Sequence, residues 1–501
     1  MSAHLLSAAT LRDFPDWLSP IVVKELRQGL RQRSFVLLFI FLQIVMALVV
    51  FSALLGAPTQ VDEGLRAGQT ISSFFFVLFG LAALVVQPLR GIGALAGEKL
   101  GGTLDLLQLT RLDVWRITLG KWLALFGQTT LLLIAILPYL IMRYYLGGMQ
   151  LFNELLVLFT MYILSGTLTG VMVGLSATPS VVFRVILALI LGGLVLSMVV
   201  GLMEAGMGRG MGRLFMGLGL GTGFLWAYLG SVAVAVFVGY YFLEVGATHL
   251  APPSENRSTR KRLLGLAMLA AILFFFKWQP GTAVVVSLLL AVVLVIDALT
   301  ESPDFTASVM RPFQRFGVVG KAAAYLLCPG WATGTLFTGV VVALVWFGFS
   351  KATTLRREDG MEGFGLLVFA SLLVPALIAS LAKRGHRNTF LFYIAVLLGV
   401  CAASLVLIIL GFALDGEKTV PWLFFLLPPV GVMGIDELNG EDGYDLGAAV
   451  CLVGWWVILL LAATPWLSRM GSMQPVAPQP SPSDESDMSD KSDNPAPPNA
   501  P

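Results

Sequence analysis

The chain has 501 residues, of which 57% are hydrophobic and only 12% charged, with a net charge of +2. An ordinary soluble domain carries about 25% charged residues, so a water-soluble fold of this length is excluded. No basic-aromatic array suggests nucleic acid, and the alternating segments of about ten residues that mark an outer-membrane barrel are not evident.

Residues 1–33 precede the first apolar run. They contain acids, prolines and many basic side chains, a pattern that predicts no cleavable signal. Ser19-Pro20 reads as a helix start, and Val22, Leu26 and Leu30 then recur at helical spacing. Lys24, Glu25, Arg27 and Arg31 fall on other faces, which predicts an amphipathic basic helix at an anionic membrane surface. The same residues also serve as a positive flank that orients the first span.

Apolar runs long enough to cross a bilayer, about 17–25 residues, then recur along the chain. They are placed near 35–55, 71–88, 117–139, 152–176, 181–203 and 224–246, and near 263–278, 281–299, 333–349, 364–382, 390–414 and 446–468. The expected fold is all-α, a polytopic membrane protein of about twelve helices. The 263–278 run is marginal, and Pro421–Ile435, with Pro428-Pro429, is short and reads as re-entrant or interfacial. If the N-terminus is cytoplasmic and the spans alternate, most of the 32 basic residues fall on the inner side, as the positive-inside rule requires. Both chain ends are then cytoplasmic.

Between the second and third runs lies Gly97-Glu-Lys-Leu-Gly-Gly-Thr-Leu-Asp-Leu-Leu-Gln-Leu-Thr-Arg111, on the inner side in this topology. Leu100, Leu104 and Leu107 share one helical face, while Lys99, Asp105 and Gln108 form a polar one. Gly101-Gly102 permits a sharp turn, and Asp113 is placed to cap the next helix. By its residues alone this is an amphipathic inner loop. Its pattern resembles the coupling segment of type-2 ATP-binding-cassette (ABC) exporter permeases, Glu-Lys-x-x-Gly-Thr-Leu-Glu/Asp-Leu-Leu followed by a polar turn. Glu98, Lys99, Gly102, Thr103, Leu104, Asp105, Leu106 and Leu107 match it, and Thr110-Arg111 stands where the family has Thr-Pro. The Val-Lys-Glu-Leu-Arg run at 23–27 is similar to the family's connecting helix. The resemblance covers roughly residues 20–246.

It implies a transmembrane permease of an ATP-driven exporter, with no enzymatic activity of its own. A separate ABC ATPase subunit, binding ATP and Mg, would press on residues 97–111, and a homodimer or second permease chain would complete the pathway. Localisation would be a bacterial cytoplasmic membrane. No phosphate loop is present, since Gly120-Lys121 and Gly320-Lys321 lack the upstream glycine and the following hydroxyl. The other reading is a scaffold subunit with a permease-like fold that transports nothing.

The Met/Gly-rich stretch 203–223 falls on the outer side with Glu204, Arg209 and Arg213. By analogy with the family's re-entrant elements these are candidates for an outer gate, and otherwise a pliable loop. Residues 247–262, with Pro252-Pro253 and the basic run Arg257–Arg262, read as a cytoplasmic linker between a six-span domain, 35–246, and a second set of spans, 263–470. Glu244, Asp297 and Glu301 sit near span ends, where hydrated interfacial carboxylates are expected. The acidic loop Asp436–Asp445 does not fit the twelve-residue calcium loop. Cys328, Cys401 and Cys451 show no paired spacing, and His4, His249 and His386 are scattered, so no disulfide or metal site is read. The Pro-, Ser- and Asp-rich tail, 471–501, has the composition of a disordered segment.

Overall fold

A computed structural model describes residues 20–55, 74–97, 113–146, 151–178, 184, 222–252, 255–275, 280–302, 307–351, 361–382, 389–413, 427–433 and 444–471. Every regular element among them is helical. Ten of these helices are long and apolar enough to cross a membrane, and the chain is an all-α, multi-pass membrane protein.

The first helix, α1 (Pro20–Arg31), turns at Gln32 into α2 (Arg33–Leu55). Helix α2 is apolar on all sides. Phe35, Leu42, Met46 and Val50 are buried in the protein, while Leu37, Phe41, Ile44 and Leu48 point outward, as a lipid-facing helix requires. Helix α3 (Phe74–Gly93) widens to a π-helical turn over Leu81–Val86. Pro88 follows at once; it has no N–H to give Leu84, and its ring would crowd that carbonyl in a regular turn. The wider turn relieves the clash, and Ser165 Oγ donates to the Ala83 carbonyl at 2.5 Å.

Helix α4 (Val114–Leu146) is 33 residues long, about 50 Å at 1.5 Å per residue, and so outruns a hydrocarbon core of about 30 Å. Its first turns carry α1, whose Ile21 and Leu26 pack on Gly120 and Gly127. Helices α5 (Leu151–Leu175) and α6 (Thr222–Leu250) cross with their backbones nearly touching. A Cβ on Gly174 would lie 2.0 Å from the Phe242 carbonyl oxygen, and one on Gly246 would lie 2.7 Å from Gly174 Cα. Gly170-x-x-x-Gly174 is thus a close-packing seam of the small-residue type.

The connection that follows is shorter than the sequence suggested. Helix α6 runs on to Leu250 and α7 (Ser258–Phe275) begins inside the basic run. Helix α7 coincides with the marginal run at 263–278, but its apolar part from Leu263 onward gives only about 20 Å, and it is not among the ten span-length helices. The 181–203 run lies outside the described residues except for Arg184. These two runs account for the difference between twelve expected spans and ten. Next come α8 (Pro280–Thr300), the short α9 (Ala307–Gln314) and α10 (Gly317–Leu327), α11 (Trp331–Lys351), α12 (Met361–Ala382), α13 (Thr389–Ala413), the six-residue α14 (Pro428–Met433) and α15 (Tyr444–Gly471). The described part of the proline-rich 421–435 run is α14 and one flanking residue. That helix is far too short to cross, and it packs on α12 and α13.

Two cores result. One joins α2, α3, α4 and α5 through Met46, Phe79, Leu132 and Leu158. The larger joins α8, α11, α12 and α15, and reaches α6 through Tyr241 and Val245. Helix α6 therefore belongs to both halves. The connections also show which helix ends share a level. The ends of α3 and α5 meet where Leu95 N donates to Ser176 Oγ at 2.9 Å, and the starts of α7 and α11 meet where Arg262 reaches Thr333 Oγ1 at 3.0 Å. At the opposite end, Gly363 N at the start of α12 donates to Asp445 Oδ1 at the start of α15.

Candidate functional site

The buried charges gather at one end of the bundle, where α7 begins. Asn256 Oδ1 accepts from Thr259 N and fixes the first turn of α7. Lys261 meets two carboxylates, Asp297 and Glu301, which are spaced four residues apart at the end of α8 and so lie on one face. Lys261 Nζ lies 2.8 Å from Asp297 Oδ2 and 2.9 Å from Glu301 Oε1. Arg262 donates to Glu301 Oε2 at 2.8 Å, and to Thr333 Oγ1 and the Leu326 and Gly330 carbonyls at 3.0 Å each. Gly330 offers that carbonyl from a turn with φ +127°, a conformation that favours glycine. Tyr241 donates its hydroxyl to Asp297 Oδ2 at 2.7 Å, tying α6 into the same network.

Arg257 is the second node. Its guanidinium pairs with Asp113 Oδ1 and Glu255 Oε1, each at 2.5 Å, and more loosely with Glu244 Oε1 at 3.5 Å. Burial would lower the Arg257 pKa, but Glu255, Asp113 and Glu244 outweigh it and raise it above the ordinary value. The linker arginine thus bridges α4, α6 and α7. Arg257, Lys261 and Arg262 are all buried, at 6%, 1% and 1% exposure. The expectation of hydrated carboxylates is corrected at Glu244, which is 1% exposed, and at Asp297, which is locked between Lys261 and Tyr241.

Burial pushes the Glu301 carboxyl up, but Lys261 and Arg262 reverse that and hold it at about 2, below its ordinary 4.5. A depressed carboxyl contributes stability that is present above its unfolded pKa and lost as pH falls through the folded one. The melting temperature of the wild type should therefore drop towards that of Glu301→Gln as the pH falls from 4.5 to about 2. Parallel curves would show that Glu301 is not ionised in the fold.

Beside this network, between α5, α6, α8 and α13, lies a cavity of about 380 Å³. Its wall is apolar almost throughout, with Tyr241 and Asp297 at its border.

A smaller polar node fixes the N-terminal helix. Lys121 pairs with Glu25 at 3.1 Å. Arg90 donates to Gln87 Oε1 at 2.9 Å, to Gln32 Oε1 at 2.8 Å and to Gln128 Oε1. Lys24, Arg27 and Arg31 line a shallow groove with Gln28 and Gln32 on the exposed face of α1. Its apolar face is covered by α4. Arg184 donates to the Ile92 and Ser176 carbonyls, at 2.6 and 3.3 Å.

No protein-family model, curated protein or solved structure matches this chain.

The site must therefore be judged on its own geometry. Glu98, Lys99, Gly102, Thr103, Leu104, Asp105, Leu107, Thr110 and Arg111 lie outside the described residues, as do Glu204, Arg209 and Arg213. Both flanks of the first group are described and anchored: Leu95 is fully buried and held by Ser176, and Asp113 is held by Arg257. Among the described residues no cluster of His, Cys, Asp and Glu is arranged to hold a metal ion. The network itself was overlooked in the sequence, although it leaves a trace there: Lys261-Arg262 carry adjacent positive charges, and Asp297-x-x-x-Glu301 places two acids one helical turn apart.

Proposed function

We propose that the chain is the transmembrane permease subunit of an ATP-driven ABC exporter, with its charged end in the cytoplasm of a bacterial cell and residues 97–111 receiving the push of a separate ATPase. The Glu98–Leu107 pattern supports this reading, and one structural observation carries it. Asp113, two residues beyond the segment, is bonded to Arg257, which also pairs with Glu244 on α6 and sits one residue before α7. A displacement of the segment is thereby delivered to both halves of the bundle, along α4 with its docked α1 and through Arg257 to α6 and α7. Such a two-state rigid-body rearrangement is what alternating access requires.

The ATPase partner would supply ATP and Mg, and a second copy or another permease would complete the pathway. Replacing Gly102-Thr103 by bulky charged residues should abolish co-purification with a phosphate-loop ATPase encoded beside this chain, while membrane insertion is unchanged. Retained association would overturn the assignment. A stable complex whose ATP hydrolysis is indifferent to Glu98 and Thr103 would identify a scaffold instead. Labelling of a cysteine placed at Lys99 from the cell exterior would also remove the reading, because no cytoplasmic motor reaches that face.

A further inference from the structure

The cavity beside the charged network has the dimensions of one bilayer leaflet. On α6 its wall runs from Val238 to His249, about 16 Å at 1.5 Å per residue, against about 15 Å for half of a hydrocarbon core. On α5 it runs from Thr167 to Leu175, about 12 Å, and continues to Thr178 in the turn that follows. The volume of about 380 Å³ lies within the range of small-molecule sites.

The cavity is graded along its length. Thr178, His249 and Asp297 border it at the charged end, while Val171, Val238, Val293 and Ile394 line the deeper part. Its polar groups are engaged within the protein. Asp297 is taken by Lys261 and Tyr241, Thr178 Oγ1 donates to the Leu175 carbonyl, Thr167 Oγ1 donates to the Ala235 carbonyl, and His249 Nδ1 lies 2.8 Å from the Val245 carbonyl. What the wall offers an occupant is apolar surface. A sugar or a polar peptide would lose its hydration there without compensating hydrogen bonds. A linear hydrocarbon gains with each methylene buried.

We propose that this cleft binds one acyl chain of a bilayer lipid, drawn from the leaflet at the charged end, with the headgroup at the level of Thr178 and His249. The acyl chain lies between α5 of the first half, the shared α6, and α8 and α13 of the second, and so fills the seam between the halves. The proposal rests on the multi-pass membrane fold and is independent of any ATPase.

The test uses the full chain reconstituted in phosphatidylcholine vesicles doped with a phosphatidylcholine that carries a photoreactive diazirine in its acyl chain. After irradiation, peptides containing Val238–Val245 and Val293–Ile296 should be labelled. The label should be retained when bulk lipid is exchanged for detergent before irradiation. Leu398 and Val406, each 61% exposed on the outer face of α13, serve as controls that lose their label on that exchange. Val293→Trp and Ile394→Phe, which fill the cleft, should cut cleft labelling by at least about tenfold, the affinity carried by two excluded methylenes. Labelling at Leu398 before exchange should be unaffected. Cleft labelling that washes out with the controls, or that survives both filling substitutions in folded protein, overturns the proposal. Should neither variant fold, the exchange experiment on the wild type decides alone.

Discussion

Lys261→Met should destabilise the protein by about 3–5 kcal/mol, because removing one partner of a buried ion pair strands the charge of the other. Lys261 is 1% exposed and is the only cation within bonding distance of Asp297 among the described contacts. Glu301 keeps Arg262 in the variant, whereas Asp297 keeps only the Tyr241 hydroxyl. The stranded group is therefore Asp297, and adding Asp297→Asn should recover most of the loss. Denaturant or thermal unfolding of the two variants in detergent measures both values. If the single and double variants unfold alike, the Lys261–Asp297 pair is not an energetic unit. The same logic explains why so polar a cluster is tolerated in an apolar protein. Arg262 has five donors in a fixed fork, and it meets a carboxylate, a hydroxyl and two carbonyls, all within 3.0 Å.

Gly174→Ala should cost about 3 kcal/mol, the upper part of the overpacking range, although it adds a single methyl. The methyl would meet the backbone of α6, with the Phe242 carbonyl oxygen at 2.0 Å and its carbon at 2.5 Å, so no side-chain rotation can make room. The helices must separate, and the separation also unpacks Gly170 from Gly239 and stretches the bond from Thr167 to the Ala235 carbonyl. In lipid, close backbone packing of this kind holds helices together in place of the hydrophobic effect. Gly399→Ala and Gly454→Ala are the matching controls, since nothing lies within 4 Å of a Cβ at either position. They should be neutral or stabilise by up to about 1 kcal/mol through helix propensity. Equal melting temperatures for the Gly174 and Gly399 variants would mean that the α5–α6 seam is not a close backbone contact.

The helices best read from sequence are those with lipid on most sides. Helix α13 runs from Thr389 to Ala413 against an expected 390–414, and α15 covers the expected 446–468. Apolar side chains are needed on every face there, whatever the neighbours. The N-terminal helix was legible as amphipathic from Val22, Leu26 and Leu30, but the surface that takes its apolar face is a protein one, α4. Residues 257–262 were the least legible. A run of basic residues between apolar segments has the composition of a solvated linker, and apart from the nearby Glu255 its carboxylate partners lie 13 residues away at Glu244, 36 away at Asp297 and 144 away at Asp113. Local pattern carries no record of such distances.

Composition and run length alone determined that this chain lives in a bilayer as a stack of helices, because hydrocarbon admits no unpaired backbone over that length. They also marked out the stretch at 97–111 as unlike its apolar surroundings. Only the tertiary structure decided that Arg257, Lys261 and Arg262 are interior, that α6 is shared by both halves, and that an apolar cleft one leaflet deep lies between those halves. Each of these depends on which helix stands beside which, and neighbouring helices in this chain are brought together by glycine seams and ion pairs between residues far apart in sequence.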